Sequence, residues 1–198
     1  TCNVLDLNRQ KGVQAIEANH GNKKNQNIYM DTCIMKTELF ISLVKEAKKL
    51  SSMYTLTDVI NDKCETLDIR GVAHKGFFAS VTDFPSYYKA NMDLLNYKAA
   101  QELFHEDWPI YTRTNDSCPT QYFDSAEVKN SVISNGCQIE GTVENSVIGR
   151  GCVIKKGAVV RNSVVLAEVT VGEGVHVENE VVDKWAKLVH KKEIVSPT

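Results

Sequence analysis

Apolar residues in the last third of the chain recur every six positions, a spacing that neither an α-helix nor a β-hairpin produces. Ile148, Ile154 and Val160 form one such run. Three near-copies of the segment Asn-Ser-Val, followed by Ile or Val, accompany this spacing at 130–133, 145–148 and 162–165. Hexapeptide repetition of this kind predicts a parallel β-helix of three to four coils, with three six-residue faces in each coil.

The first part of the chain has a different pattern and predicts mixed α/β structure. Short strands are predicted at 4–7 and 13–17, on either side of a turn at 9–12. A polar loop follows at 19–27, and a further strand is predicted near 28–35.

Helices are predicted where the apolar period changes to three and four residues. One amphipathic helix runs from Thr37, its predicted N-cap, to Leu50, and a shorter helix is predicted from Thr57. Cys64 to Val81 is predicted to be extended. A further helix begins at Asp83, with Pro85 in its first turn, and continues toward the linker.

The polar stretch at 108–123 holds two of the four prolines and has neither period, which predicts an inter-domain linker. This divides the chain into an α/β domain at 1–107 and a repeat domain at 124–198. The segment 184–192 departs from the six-residue period and contains Trp185, so it is predicted to cap the coils. Because stacked coils leave open ends, we also expect an oligomer.

Composition excludes some function classes. The 198 residues carry a formal net charge of −2, which does not favour binding to nucleic acid through phosphate contacts. The sequence has no apolar run long enough to cross a bilayer and no signal peptide, so we expect a cytoplasmic protein without membrane contact.

Candidate chemistry is sparse. The six cysteines are scattered without C-x-x-C pairs, and Cys137 and Cys152 occupy equivalent places in two repeats, which predicts a packing role. The five histidines are not at metal-ligand spacing, and the polar triplet at 105–107 is predicted to be a solvated helix end. His176 lies within the repeats, as does the general base of hexapeptide acyltransferases, and this leaves acyl transfer as a weaker alternative. The sequence itself therefore predicts no catalytic, cofactor-binding or metal-binding residue.

Two further segments resemble the ADP-glucose pyrophosphorylases (glucose-1-phosphate adenylyltransferases). They are Phe-Phe-Ala-Ser-Val-Thr-Asp at 77–83 and Tyr-Tyr-Lys-Ala-Asn-Met-Asp-Leu at 87–94, and Trp-Pro-Ile at 108–110 and the hexapeptide tail extend the match. The resemblance implies the C-terminal part of a Rossmann-like nucleotidyltransferase domain, followed by a left-handed parallel β-helix. It also implies a complex that makes ADP-glucose from ATP and glucose 1-phosphate with Mg²⁺.

Residues that the resemblance makes catalytic differ here. Ala79 and Ser80 stand where the family has Arg and a metal-binding Asp, and a serine hydroxyl does not supply that anionic ligand. The family's Glu-Lys-Pro turn, whose lysine holds the sugar phosphate, is matched best by Glu17, Ala18 and Asn19. The Gly-rich nucleotide loop would stand before Thr1, so the chain is interpreted as a C-terminal fragment.

These departures resemble the non-catalytic subunit that some bacteria pair with a catalytic one. We therefore predict a regulatory, degenerate subunit that binds no cofactor in this part and whose partner is a catalytic ADP-glucose pyrophosphorylase subunit. Self-association through the β-helix is a further expectation. The alternative is an active sugar nucleotidyltransferase, whose site is completed by the N-terminal half that is absent from this sequence. A separate possibility is that another carboxylate, such as Asp83, replaces the missing metal ligand, but Asp83 is better placed as a helix N-cap.

The basic residues of the tail leave two interpretations open. They could meet a phosphorylated effector, because the regulators of the family are sugar phosphates or nucleotides, or they could form a solvated face of the cap, which is the preferred interpretation. These residues are Lys184, Lys187, Lys191 and Lys192.

Overall fold

The computed structural model describes residues 2–21, 23–112 and 115–196. Its contacts divide the chain into two compact units, Thr1–Lys75 and Gly76–Thr198, and each is described by itself. The domain boundaries at residues 107 and 124 stay predictions.

The first unit contains a small antiparallel sheet with the order β2-β1-β3. Strands β1 (Cys2–Leu7) and β2 (Val13–Asn19) form the predicted hairpin, in which Val4 pairs with Glu17. Strand β3 covers only Asn27–Ile28, so the strand predicted near 28–35 is wrong beyond its first residue. The Tyr29 N–H still donates to Asn3 O at 2.9 Å, and the chain then runs irregularly to the first helix.

Two helices supply the other half of this unit's core. Helix α1 spans Thr37–Leu50 and α2 spans Leu56–Asp62. The apolar period placed α1 correctly, but its N-cap is Lys36, which provides no side-chain cap, so the assignment of Thr37 as the cap is wrong. Between the two helices lies a small buried cluster made by Leu43, Ala47, Val59 and Ile60.

The segment Cys64 to Val81 is not the extended chain that the sequence predicts. It begins with turns, in which the Leu67 N–H donates to Lys63 O at 2.9 Å. It then touches the hairpin once, through an isolated bridge between Gly12 and Arg70. The remainder is irregular, because its apolar residues are too few to bury one face of a strand against the sheet.

The second unit starts with two helices. Helix α3 spans Phe84–Asp93, and Asp83 is its N-cap, as predicted. A second helix, α4 (Tyr97–Leu103), follows after a short break, where the sequence predicts one helix that continues toward the linker. The break occurs because Asn96 caps α4, its side chain accepting from the Lys98 N–H at 3.0 Å.

The rest of this unit is a parallel β-helix, which confirms the predicted repeat fold. Its short strands return to three sheets in turn, and the sheet orders are β16-β13-β10-β7-β4, β17-β14-β11-β8-β5 and β15-β12-β9-β6. The strands are β4 (Gln121–Tyr122), β5 (Glu127–Lys129), β6 (Val132–Ile133), β7 (Gln138–Ile139), β8 (Thr142–Glu144), β9 (Val147–Ile148), β10 (Val153–Ile154), β11 (Val159–Arg161), β12 (Val164–Val165), β13 (Thr170–Val171), β14 (His176–Glu178), β15 (Val181–Val182), β16 (Lys187–Leu188) and β17 (Glu193–Val195).

These strands make four three-strand coils and two strands of a fifth. At the start, Gln121 and Tyr122 pair with β7, inside the range interpreted as a linker. At the end, Lys187 pairs with Thr170 and Glu193 pairs with His176 in unbroken register. The prediction that 184–192 breaks the period is therefore wrong: this segment is part of another coil.

The interior of the coils is filled by one residue from each strand. Ile139, Val143 and Ile148 in the second coil are completely buried, as are their counterparts in the third. Cys137 and Cys152 stack in the same core, which confirms their predicted packing role. The Cys137 thiol donates to Gly149 O at 3.1 Å and the Cys152 thiol to Leu166 O at 3.0 Å, so each buried sulfur has an acceptor.

The Asn-Ser-Val repeats form one corner of the first three coils. Their asparagines adopt left-handed backbone angles, with φ of 47° at Asn145 and 44° at Asn162, and Asn179, followed by Glu180 instead of serine, adopts the same conformation in the fourth coil. The serines point inward and form a ladder. Ser146 Oγ donates to Glu144 O at 2.7 Å and accepts from the Ser163 N–H at 3.1 Å. The corner thus satisfies its own buried backbone groups.

Two other corners contain glycine residues in the second coil. At Gly141 a Cβ atom would lie 2.4 Å from Ala158 O, so the neighbouring coil excludes any larger residue there. Gly151 has a φ of 67°, and its counterparts one and two coils later are Glu168 and Trp185, each with a φ of 61°. The strained position therefore becomes occupied by larger residues toward the end of the β-helix.

Candidate functional site

The residues aligned with the catalytic motifs of the family lie on two different elements. Ala18 is on β2, next to Glu17, whose carboxylate is 2.9 Å from the Lys23 ammonium. This hydrogen bond and charge raise the pKa of Lys23. Ala79 and Ser80 lie in the irregular stretch that precedes α3. A Mg²⁺ site would require a carboxylate here. The methyl group of Ala79 and the hydroxyl group of Ser80 do not supply one.

Asp83, the alternative metal ligand, is occupied as a helix cap. Its carboxylate accepts from the Ser86 N–H at 2.8 Å, and Ser86 Oγ accepts from the Asp83 N–H at 3.0 Å. The hydrogen bond from the Ser86 N–H lowers the pKa of Asp83. This reciprocal capping box explains the acidic residue at this position as a structural one.

His176, the candidate base for acyl transfer, lies on the outer face of the sheet that contains β14. Its Nε2 is 3.2 Å from a carboxylate oxygen of Glu178 on the same strand, and its cross-strand neighbours are Val159 and Glu193. Successive coils around it repeat at 15 or 17 residues. Coils of such constant length leave no room there for the projecting loop that an acceptor site would need.

An apolar column on the outside of the β-helix receives helix α3. The first residues of β6, β9, β12 and β15 face outward in register, and all are valine. Val164 is only 1% exposed although it lies on the outer face, because α3 packs on β12. The Tyr88 hydroxyl donates to Asn162 O at 2.6 Å beside this contact, and burial raises the pKa of Tyr88. The motif at 87–94 is thereby attached to the β-helix.

The first coil is uncovered on the side where the three sheets begin. Tyr122 is 54% exposed and Val128 is 40% exposed, whereas Ile139 and Val143, their counterparts in the second coil, are completely buried. Phe123 and Val132 add further exposed apolar surface at the same end. We call Tyr122, Phe123, Val128 and Val132 the open edge.

The opposite end carries the basic residues. Lys184, Lys187 and Lys191 are exposed on the last coil, and Trp185 is 72% exposed at its strained corner. Lys192 Nζ donates to Glu173 O at 2.9 Å, so this lysine also holds the last coil on the one before it. The structure brings these residues to one end of the β-helix.

Sequence reasoning did not find the valine column on the outside of the β-helix or the open edge of the first coil. The six-residue period identified residues that face the core, such as Ile148, and did not single out the outward valine that precedes Ile148 and its counterparts. The sequence did contain a signal for the valine column, because two adjacent residues in each of these strands are apolar. A strand with one solvated face alternates apolar and polar residues instead. Trp108, which belongs to the Trp-Pro-Ile segment of the resemblance, forms an isolated antiparallel bridge with His105, and its side chain is 83% exposed.

Comparison with known proteins gives two kinds of match. Residues 119–196 match the family described as GlmU-like, C-terminal hexapeptide, which agrees with the β-helix. The glucose-1-phosphate adenylyltransferase of Fervidobacterium nodosum is 33% identical over 141 residues, which are 71% of this chain and 34% of that protein. No helix in the described ranges is long and apolar enough to cross a membrane.

Proteins named for glycogen biosynthesis match over similar lengths. The glycogen biosynthesis protein GlgD of Geobacillus stearothermophilus is 35% identical over 157 residues, which are 79% of this chain and 44% of that protein. GlgD of Bacillus subtilis is 28% identical over 141 residues, which are 71% of this chain and 39% of that protein. The chain thus spans between about a third and somewhat under half of the length of these curated relatives. On these matches and the motifs described above, the chain belongs to the ADP-glucose pyrophosphorylase (glucose-1-phosphate adenylyltransferase) family.

Proposed function

We propose that this chain is part of a regulatory, catalytically degenerate subunit that supports ADP-glucose synthesis for glycogen by binding a catalytic glucose-1-phosphate adenylyltransferase. The observation that carries the proposal is Ser80, which stands where the family places the metal-binding aspartate. The similarity to two proteins named GlgD supports the same assignment.

The chemistry of nucleotidyl transfer explains why one residue matters this much. A bound Mg²⁺ would neutralise the charge that develops during transfer, and a carboxylate would be required to hold it. Ser80 offers a neutral oxygen, and the nearest carboxylate in sequence, Asp83, is held by Ser86. Ala18 removes the cation expected on the sugar phosphate as well. Mg²⁺, ATP and glucose 1-phosphate are then bound by the catalytic partner, and this chain acts through contacts with it.

A direct test uses the full-length protein, alone and with the catalytic subunit from the same organism. Pyrophosphate release is measured with ATP, glucose 1-phosphate and Mg²⁺. We expect no release above the blank for the protein alone, and a changed turnover or effector response when the two proteins are combined. Release by the protein alone would overturn the proposal and support an active nucleotidyltransferase.

A matched control separates catalysis from regulation within the complex. The catalytic subunit is replaced by its variant in which the metal-binding aspartate is serine, so that both subunits carry the same residue as Ser80. The regulatory proposal predicts that this complex assembles and is silent, with turnover reduced by at least about a hundredfold. If the complex retains turnover, the site in this chain performs the chemistry and the proposal fails.

A further inference from the structure

We propose that Cys137 and Cys152 form a reversible dithiol–disulfide site inside the β-helix, which hydrogen peroxide oxidises and which then ties the second coil covalently to the third. The inference goes beyond the proposed function and does not depend on it, because its test is the covalent state of two sulfur atoms and not turnover.

The two cysteines occupy the same place in neighbouring coils. Gln138, which follows Cys137, pairs with Val153, which follows Cys152, in the parallel ladder of β7 and β10. The Gln138 N–H donates to Cys152 O at 2.9 Å, so the backbone holds the two cysteines side by side. Neighbouring residues of paired strands lie about 4.8 Å apart, within the range of about 4.4–6.8 Å between the Cα atoms of a disulfide. Both side chains are buried in the same core, so a bond between them needs no change of register.

The two thiols differ in how readily each loses its proton. The hydrogen bond between the two side chains lowers the pKa of Cys137, and the Cys152 N–H donates to the same sulfur. That hydrogen bond and burial raise the pKa of Cys152. The thiolate is the form of cysteine that attacks an oxidant. Cys137 is therefore the sulfur that reacts first, and Cys152 keeps its proton until the second step.

Access from the first coil favours the same order. The residue stacked on Cys137 is Thr120, whose Oγ1 accepts from the Cys137 N–H at 3.3 Å and which is only partly buried. Cys152 lies one coil deeper, and the residue on its other side, Val169, is completely buried. A molecule as small as hydrogen peroxide thus has one partly buried residue to pass before it meets Cys137, and it meets Cys137 before Cys152.

The reaction takes two balanced steps. In the first, the Cys137 thiolate attacks one oxygen of hydrogen peroxide, the O–O bond breaks, and the sulfur becomes a sulfenic acid. The other oxygen leaves as hydroxide and takes up the proton that the thiol released, which gives water. In the second, the Cys152 sulfur attacks the Cys137 sulfur and the S–O bond breaks. The departing hydroxide takes the Cys152 proton, so two thiols are oxidised and the peroxide is reduced to two molecules of water.

Two features make the disulfide easy to reduce again. The stacked Cβ atoms of neighbouring strands are about 4.8 Å apart, whereas those of a disulfide are on average about 3.8 Å apart, so the bond pulls two coils together. Oxidation also removes the thiol hydrogen bonds to Gly149 O at 3.1 Å and to Leu166 O at 3.0 Å. Strained disulfides have higher reduction potentials and are the labile ones. The cross-link is therefore reversible.

Peptide mapping of the whole protein after exposure to hydrogen peroxide tests the site. Free thiols are blocked with N-ethylmaleimide before digestion with trypsin, which cleaves after Lys129, Arg150 and Lys155 and so separates the two cysteines. We expect peptides 130–150 and 151–155 to appear linked, about 2 Da lighter than their summed masses, because two hydrogen atoms are lost. Dithiothreitol should release both peptides.

Three variants assign the roles of the two sulfurs. Cys152→Val copies the valine that Val169 places one coil later, so the fold should be retained, and Cys137 should stop at the sulfenic acid, which dimedone traps. Cys137→Val should leave Cys152 unmodified at the same peroxide concentration. The control Cys118→Ser, at an exposed thiol, should leave the amount of linked peptide unchanged. Circular dichroism checks that each variant is folded.

Several results would overturn the proposal. One is the absence of the linked peptide at a peroxide concentration that modifies the exposed thiols of Cys33 and Cys118. Another is a linked peptide that forms only in urea, since the two cysteines would then be unreactive in the folded coils. Dimedone labelling of Cys152 in the Cys137→Val variant, at the rate seen for Cys137 in the Cys152→Val variant, would contradict the assigned order.

Discussion

The hydroxyl of Tyr88 donates a 2.6 Å hydrogen bond to the carbonyl oxygen of Asn162, and this bond joins helix α3 to the asparagine corner of the β-helix, 74 residues later in the chain. Asn162 is one of the repeated Asn-Ser-Val segments, and Tyr88 belongs to the motif at 87–94 that carries the family resemblance. The two strongest sequence signals in the chain are therefore in direct contact. Any change of α3 would reach the coils through this contact and the valine column beneath it.

Removing the hydroxyl should weaken this attachment without disturbing the packing. Tyr88→Phe keeps the ring on the valine column and leaves the carbonyl of Asn162 without its donor. We expect the free energy of unfolding to fall by about 1 kcal/mol, because the site is half-buried and water replaces the bond only in part. Urea unfolding followed by circular dichroism measures the change. Tyr111→Phe, at a side chain that is 93% exposed, is the matched control and should have no effect.

The left-handed corner predicts an unusual order of substitutions at Asn145, whose φ is 47°. Alanine loses the side-chain bond with Asn130, whose Nδ2 donates to Asn145 Oδ1 at 2.7 Å, and it is also strained in this conformation. Glycine loses the same bond but accepts the backbone angle. We expect Asn145→Ala to lower the stability by about 1–2 kcal/mol and Asn145→Gly by less. Thermal unfolding of both variants measures this difference. Equal losses of stability for the alanine and glycine variants would show that the backbone angle imposes no strain on alanine.

The serine ladder makes a prediction that depends on position along the β-helix. Ser146→Ala leaves the buried N–H of Ser163 without its acceptor, so we expect a loss of about 1–3 kcal/mol. Ser131, in the first coil, is only partly buried, and its Oγ accepts from the Ser146 N–H in the same way, so Ser131→Ala lets water take over part of that role. Its loss should be clearly smaller in the same unfolding assay. If the two variants lose equal stability, the contribution of each serine to stability does not depend on its burial.

How much of this could be predicted depends on whether a residue's neighbours are close in sequence or are supplied by another coil. The six-residue period predicted the repeat fold, and Asp83 was correctly predicted as a cap, because both signals are local. The last coil was missed because its lysines and Trp185 hide the period, although hydrogen bonds to the coil before it still set the register of the backbone. Strand register survives a change of the exposed residues.

The open edge was less accessible to prediction for the same reason. That the ends of a solenoid need cover follows from the fold alone, and the sequence analysis expected an oligomer on that ground. That Val128 is the uncovered residue, and that Glu127 and Lys129 lie on either side of it facing outward, requires knowing where the first coil begins. The polar composition of 108–123 concealed this start, because β4 lies in the same stretch.

The capping box of α3 gives the last prediction, a dependence of stability on pH. The pKa of Asp83 is lowered by the hydrogen bond from the Ser86 N–H, so its contribution is present above the pKa of the unfolded chain, near 4, and is lost as the pH falls through the lower folded value. Asp83→Ala should therefore lower the midpoint of thermal unfolding at pH 7, and the difference from the wild type should shrink toward pH 2.

Asparagine at the same position separates the cap from the charge. Asp83→Asn retains an oxygen that accepts from the Ser86 N–H, so we expect it to keep most of the helix stability at pH 7. Its carboxamide does not titrate, so the difference between the wild type and Asp83→Asn should vanish at low pH, where the Asp83 carboxyl is protonated in both states. A wild type that gains stability relative to Asp83→Asn on acidification would mean that the folded pKa is raised, as in a carboxyl that is buried without donors, and would contradict the role of Asp83 as the cap of α3.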